Sequence, residues 1–598
     1  MNQFREDLQK KEKGLKPSKV ETAKSKGDFL RGTVDEVLLD PAVDRFEHDD
    51  LQLLKFHGTY QQDDRDLRKP RRAEGLDKAY SFMLRVTLPG GKLTASQYLE
   101  LDRLADDFAN GSIRLTTRQA VQFHGVLKTE LRETIRQLNE ASMTTLSACG
   151  DVCRNVMASA PPFETEIYET VRTTANAIAA ELRPATKAYH EIWINGERQV
   201  STMEEEPFYG RLYLPRKYKV GVTVMGDNQI DIYSYDAGLI AITEGDKVVG
   251  FNVIAGGGLG MSHGRKNTFA QLAHEIGFVD REHGVEAVKA IASIYRDFGN
   301  RNDRKQARLK YLIDQEGLDW FLAEFKSRCD FEIQRTRETP PTINEDWLGV
   351  HKQNDEQWFY GLFVENGRIK DDENTKIRTA IRRIVVDTNC DITLTPQQSI
   401  IFAGLNSQQL NRVQEILAEY GVEEVEELSA AVRYSMACPA LPTCGMAVAE
   451  SERIAPKIMR QIEDLMRSYG IENEPLTFRM TGCPNGCARP YTADVALVGR
   501  RPGIYHLFVG GSLSGQRMAD LYAADIKIED LVDNLRPLVQ SWAANRRTDE
   551  GLGDFYQRLF SRKTARQRVT GKEEPTNDQV VSHLVQLNSN SILKPVGS

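Results

Sequence analysis

The chain has 598 residues, 40% of them hydrophobic and 27% charged, with a formal net charge of -8. That length is too great for one core and implies roughly two to four domains. No run of about 18 apolar residues suggests a membrane span, the acidic balance argues against a nucleic-acid partner, and the charged N-terminus lacks the apolar stretch of a secretory signal. These features place the chain in the cytoplasm, where thiols stay reduced and paired cysteines read as ligands rather than disulfides.

Residues 1–27 are rich in Lys and Glu and read as a mobile arm; with the lead-in that follows, which holds His57 and Arg65, they form segment 1–75. An α+β unit occupies 76–146: a strand from Phe82, a Pro-Gly-Gly turn at 89–91, a helix over 96–110, a polar stretch around Arg114, and a helix over 129–141. The same order recurs at 346–427, with the strand from Phe359, a helix over 374–386, the stretch Asp391 to Gly404, and a helix over 407–420. Agreement in order and length over four elements indicates an internal duplication. Segments 147–345 and 428–562 follow the two copies, and 563–598 reads as a flexible tail. The second half places cysteines where the first places Arg and Lys, so one half is specialised for metal and the other for anions.

Four of the eight cysteines lie in two short loops rich in Pro and Gly, Cys438/Cys444 and Cys483/Cys487. Buried, inert thiols would not pair in this way. A structural zinc site favours about two to four residues between paired cysteines, so the five-residue gap from Cys438 to Cys444 fits poorly. Four converging thiolates suit a 4Fe-4S cluster. In the stretch after residue 113, Arg114, Thr116, Arg118, Gln122 and His124 fall on alternate positions and would share one face of a strand.

Cys-x5-Cys followed far downstream by Thr-Gly-Cys483-Pro-Asn-Gly-Cys487 resembles the sulfite and nitrite reductase family, over about residues 51–559. The resemblance implies an α/β (α+β) protein with pseudo-twofold internal duplication. Ferredoxin-like units would lie at 76–146 and 346–427, a mixed-sheet sirohaem and substrate domain at 147–345, and a cluster and sirohaem domain at 428–562. It also implies that Cys438, Cys444, Cys483 and Cys487 hold a 4Fe-4S cluster and that Cys487 is the axial ligand of sirohaem.

Sirohaem is a polycarboxylate, so its pocket needs cations and polar donors. Arg114, Thr116, Arg118, Gln122, His124, Arg308, Lys310, Gln398 and Asn485 are the candidates, with Thr395 and Gln397 beside Gln398 in the second copy. The resemblance assigns the anionic substrate to Arg85, Arg154, Lys217 and Lys219, in which arginine offers a fork for two oxygens and lysine can give up protons. The runs around Arg154 and Lys217 resemble the sulfite-reducing branch, whose bacterial haemoproteins take electrons from an NADPH-dependent diflavin protein and reduce sulfite to sulfide for sulfur assimilation. Ferredoxin-dependent sulfite or nitrite reduction is the alternative, and an iron-sulfur electron-transfer module without substrate chemistry is a reading from another class.

Two details stand apart. Cys153 occupies the position before the substrate arginine where the family usually has Asn, with Cys149 close by. Gly256-Gly257-Gly258-Leu259-Gly260 fails the dinucleotide spacing because Met261 stands where the last glycine belongs, so the electrons must come from a partner.

Overall fold

The computed structural model describes residues 16–185 and 206–560, together with the backbone of a hairpin formed by Ile192–Ile194 and Glu197–Val200. Most of the expected N-terminal arm (1–15) and the tail expected over 563–598 lie outside the described residues. The rest of the arm departs from expectation. Lys19–Lys26 is a helix, capped by Ser18, that sinks Glu21 and Lys24 into the body of the protein. Charge density alone suggested a free segment, but these charges have buried partners.

In the first α+β unit the strands are β1 (Thr59–Asp63), β2 (Tyr80–Val86), β3 (Lys92–Leu93), β4 (Ile113–Leu115) and β5 (Val121–Val126). The next domain holds β6 (Met157–Ala158), the hairpin β7 and β8 named above, β9 (Val220–Val224), β10 (Ala237–Glu244), β11 (Lys247–Ala255) and β12 (His274–Asp280). The second unit holds β13 (Gly349–Lys352), β14 (Trp358–Leu362), β15 (Arg368–Ile369), β16 (Asp391–Leu394) and β17 (Ile400–Leu405). The last domain holds β18 (Ser435–Ala437), β19 (Phe478–Thr481), β20 (Val495–Arg501), β21 (Ile504–Val509) and β22 (Asp520–Lys527).

The duplication is exact in topology. The two units exchange a short strand: β3 joins the sheet β13-β14-β17-β16-β3, and β15 joins β1-β2-β5-β4-β15. Leu93 sits opposite Ile392 and Ile369 opposite Ile113, so the exchange is reciprocal in register. Gln119 and Gln398, both with positive φ, close equivalent turns. The Gln119 amide donates to Leu394 O at 3.1 Å and the Gln398 amide to Leu115 O at 3.4 Å. Gly91 and Gly367 end matching turns in which a Cβ would come within 2.6 and 2.5 Å of those same two carbonyls. One apolar core runs through both units, from Leu84 and Ile113 to Leu362 and Ile392.

The two larger sheets also match. β6, β9 and β10 are parallel with β11 and β12 antiparallel, and β18, β19 and β20 are parallel with β21 and β22 antiparallel. Helix Glu166–Glu181 lies between β6 and β9 in the chain, and helix Ala455–Arg467 between β18 and β19. β10 is buried at Ala237 to Ile242 on both faces, which explains its unbroken apolar run in place of an alternating one. The halves meet at Asp231 and Arg489, equivalent positions that are both left-handed and pair at 2.9 Å. Arg479 adds a second guanidinium to the same carboxylate at 2.8 Å.

The register corrects one reading of the sequence. Arg154 precedes β6 and Lys219 precedes β9, whereas Cys438 follows β18 and Cys483 lies just beyond β19. Cations and thiols therefore occupy opposite ends of equivalent strands, and the twofold relation turns those ends toward each other.

Candidate redox and anion site

The strand ends set the thiols. Cys438 leaves β18 with its N–H bonded to Met480 O at 3.2 Å, and its sulfur accepts the Gly482 N–H at 3.4 Å. Gly482 cannot carry a side chain, because a Cβ would lie 2.5 Å from Ala449 O. Its carbonyl accepts the Val448 and Ala449 N–H groups, which folds the first thiol loop onto the second. Backbone N–H groups of Met446 and Ala447 point at Cys444, and those of Asn485, backbone and side chain, at Cys483. Donors aimed at sulfur favour thiolate.

Burial raises the pKa of Cys438 and Cys444 and pushes Cys483 up to about 12; next in weight for each is the charge of Cys487. The four thiols thus feel one another through one centre. Among the described residues no group of three or more His, Cys, Asp or Glu is placed to hold a single metal ion. The four-thiol donor set fits a 4Fe-4S cluster. Cys487 is the exposed member of the four, and Thr117 of the first unit donates its hydroxyl to the Cys487 carbonyl at 2.9 Å. From the lead-in, Arg65 bonds Ala447 O at 2.5 Å and its N–H reaches Pro442 O at 3.2 Å.

The cation wall is built from two adjacent segments. Residues 151–154 and 214–218 run together through Leu214 N–H to Asp151 O, Tyr218 N–H to Val152 O and Arg154 N–H to Tyr218 O, at 2.9, 3.0 and 2.8 Å. Arg85, on β2, and Arg154 share the Ala148 carbonyl, at 3.4 and 3.3 Å. Gln122, in the amide orientation that satisfies both side chains, accepts two Arg85 N–H groups. Burial opposes the Arg85 charge, but Cys149, Tyr60, Cys487 and Cys444 outweigh it and hold its pKa above the ordinary range.

Lys217 and Lys219 are half-buried. Burial, then Arg308 and Arg216, brings Lys217 down to about 7; burial, then Lys217 and Arg118, holds Lys219 well below the ordinary lysine range. Cys487 opposes both shifts. Arg85, Lys217 and Lys219 therefore stand within electrostatic reach of the same thiol.

Two buried carboxylates anchor this wall from behind. Asp151 takes both Arg304 N–H groups at 2.8 and 2.9 Å, with Lys24 at 3.5 Å and Arg216 at 3.8 Å. Lys24 also donates to Leu214 O at 2.9 Å, which links the N-terminal helix to the segment carrying Lys217. Burial works against the Asp151 charge, but Arg304 and Lys24 hold its carboxyl far below the usual range. Asp236 takes Arg308 at 3.0 and 2.8 Å and the Lys219 N–H at 2.9 Å.

The remaining nominated residues divide by what they already hold. Arg118 donates to Asn155 O at 2.6 Å and stacks on Tyr235, while its Nε and Nη1 are buried without a partner. His124 bonds Gln62 through Nδ1 and leaves Nε2 buried and unpartnered, and Gln398 leaves Oε1 so. Arg114 is committed to Glu452 at 3.0 Å and to Ala437 O at 2.9 Å. Arg308 is committed to Asp236, and Lys310 to the carbonyls of Gly258, Gly260 and Phe269. Thr116 accepts the Arg118 and Ala120 N–H groups.

Arg114 to His124 is thus not one strand with an alternating face. It is β4 and β5 joined by a turn, and the turn, with Gln119 at positive φ, carries Arg118. The alternation was read across a break that no Gly or Pro marks. Cys153 packs in the apolar core of its domain, its pKa raised to about 12 by burial, and both it and Cys149 are free thiols. Thr117, Asp236, Lys24 and the anchoring role of Asp151 were not found from sequence. Only Asp151 had a signal, its place in the loop that ends in Arg154.

A duplicated scaffold with a four-thiol loop pair facing a wall of cations fits a metal-thiolate protein. The family model described as the nitrite and sulphite reductase 4Fe-4S domain matches residues 173–333 and 428–560. The nitrite/sulfite reductase ferredoxin-like half domain matches residues 75–141 and 350–420. A protein of Staphylococcus carnosus (strain TM300) named sulfite reductase (NADPH) hemoprotein beta-component is 44% identical over 541 residues, 90% of this chain and 95% of that protein. One of the same name from Paenibacillus sp. (strain JDR-2) is 42% identical over 546 residues, 91% of this chain and 95% of that protein. The structure of the Mycobacterium tuberculosis NirA protein shares the fold, with a TM-score of 0.72 at 23% identity over 91% of this chain and 97% of that one. The chain belongs to the nitrite and sulphite reductase family. Among the described residues no helix is long and apolar enough to cross a membrane.

Proposed function

We propose that this chain is the haemoprotein component of an NADPH-linked sulfite reductase, taking sulfite to sulfide by six-electron reduction in the cytoplasm. One observation carries the reading: Thr117, next to Arg118 on the first unit's turn, donates its hydroxyl to the Cys487 carbonyl at 2.9 Å, so the cation-bearing half meets the thiol loop, in keeping with the bearing of Cys487 on Arg85, Lys217 and Lys219.

Cys438, Cys444, Cys483 and Cys487 would hold the cluster, and Cys487 would also ligate sirohaem. The unpartnered Arg118 N–H groups suit a sirohaem carboxylate, and the unpartnered His124 Nε2 would serve as a further donor. Both groups, when bound, supply the electron relay to the substrate. Asn485 orients Cys483.

The protein's own part is binding and proton supply. Arg85 and Arg154, fixed on the Ala148 carbonyl, present guanidinium forks to two substrate oxygens. Each S–O bond that breaks needs its oxygen protonated and lost as water, and the Lys217 and Lys219 ammonium groups are the donors. A Lys217 pKa of about 7 suits the task, since the group holds a proton at neutral pH and releases it readily. Asp151 and Asp236 keep both segments in place. The absence of a dinucleotide motif at Gly256 to Gly260 leaves NADPH oxidation to a diflavin partner.

The test is sulfide production from sulfite by the cofactor-loaded protein, driven by reduced viologen, then by NADPH with a diflavin reductase, then by reduced ferredoxin. Sulfide in the first two assays and little in the third supports the proposal. No sulfide with viologen would refute it, and sulfide with ferredoxin in place of the flavoprotein would refute the NADPH link.

A further inference from the structure

The described part of the chain pairs most of its arginines with carboxylates or carbonyls, as Arg304, Arg308, Arg433 and Arg479 illustrate. Among those not paired in this way, one group lies beside the thiols. Outside the Cys483 loop lies a recess of about 250 Å³ lined by Arg265, Lys266 and Arg500, with Pro484 in its wall and no carboxylate among its lining residues. Arg265 and Lys266 are exposed, and Nε of Arg500 is buried without a partner. Among the described residues none of the three cations is in an ion pair. On a chain of net charge -8 this is a local reversal of sign.

The recess is fastened to the thiol loop. The Pro484 carbonyl accepts the Met261 N–H at 2.9 Å and the Tyr491 hydroxyl at 3.1 Å, and Pro484 adjoins Cys483. The matching place in the first half is covered. By strand register Pro484 corresponds to Gly226, whose carbonyl accepts the Ile343 N–H at 2.8 Å and whose Cβ position lies 3.3 Å from Pro340. The connecting segment closes that face, while the thiol half leaves its own open and positive.

We infer that this recess is the docking face for an acidic surface of the electron-donating flavoprotein, set one residue from Cys483; the inference rests on the function proposed above. An acidic protein approaching this acidic molecule is favoured at such a patch, so the patch fixes orientation as well as rate. Electron transfer weakens steeply with distance, and a donor seated here delivers its electrons next to a thiol of the cluster.

The test uses the cofactor-loaded chain and the diflavin reductase, with NADPH-driven sulfide production measured against flavoprotein concentration. The double variant Arg265→Glu with Lys266→Glu is compared with Arg265→Gln with Lys266→Gln. Reversal should raise the half-saturating flavoprotein concentration about tenfold or more, neutralisation should raise it less, and both should flatten the salt dependence. Viologen-driven sulfide production should be unchanged, because a small dye needs no docking face. An unaltered flavoprotein dependence would overturn the inference, as would a parallel fall with viologen, which would make these residues supports of the thiol loop. Loss of viologen activity in the unaltered chain would instead refute the function on which the inference rests.

Discussion

By strand register, Cys438, Cys483 and Cys487 of the second half correspond to Ser159, Met225 and Gln229 of the first. Arg85, Arg118, Lys217 and Lys219 of the first correspond to Gly361, Gln397, Pro475 and Thr477 of the second. Arg154 does have an arginine counterpart, Arg433, but Asp346 grips it with two bonds of 2.8 Å. The supporting frame is kept where the chemistry is not. Lys219 N–H to Asp236 and Thr477 N–H to Asp494 are both 2.9 Å bonds. The two frames are equal in register, while the paired thiol loops stand on one and the unpaired cation wall on the other. The twofold relation then brings the cation end of one frame toward the thiol end of the other, so the proposed site is a composite of the two.

The most severe way to break this division is Cys487→Ser. It should abolish sulfide production and the electronic coupling between sirohaem and cluster, read by electron paramagnetic resonance; unchanged activity would exclude Cys487 as the bridge. Lys219→Met should lower turnover by about 10²-fold or more while cluster iron content is retained. Asp151→Asn removes the centre of a buried network holding Arg304, Lys24 and Arg216, and should destabilise the first half by about 3–5 kcal/mol, seen as a lower melting temperature. Thr117→Val, which loses one hydrogen bond to the Cys487 carbonyl, should cost about 1 kcal/mol and shift the cofactor spectrum before it affects stability.

A pH series sharpens the comparison most gently. The folded pKa of Lys217, about 7, lies below its ordinary value because burial disfavours the charge. The ammonium is therefore present below about pH 7 and is lost as pH rises through that value. Sulfite affinity should weaken over the same window, and Lys217→Arg should move the decline to higher pH. An identical decline in both proteins would assign it to another group.

Much of this was legible in the sequence. The duplicated units showed as two matched successions of strand, turn and helix, and the cysteine spacing pointed to a 4Fe-4S protein, because both depend on local pattern. The strand exchange between β3 and β15 was not legible, since two-residue strands carry no periodicity and their partners lie in the other copy. The roles of Lys24 and Asp236 were hidden for a related reason. A charged residue looks solvated in sequence until a distant chain segment supplies its partner, as Asp151 does for Lys24 and Arg308 for Asp236. The placing of Arg118 on a turn escaped because Gln119, not glycine, adopts the positive φ.

The composite site is tested most directly by titrating sulfite into the cofactor-loaded double variant Lys217→Met with Lys219→Met and following the haem absorption. If the cation half binds the anion and the thiol half holds the metal groups, iron content and the haem band should match the unaltered protein. The sulfite needed to perturb that band should then rise by about 10²-fold or more, as loss of two charge-assisted contacts requires. Unchanged sulfite affinity with both lysines gone would contradict the account.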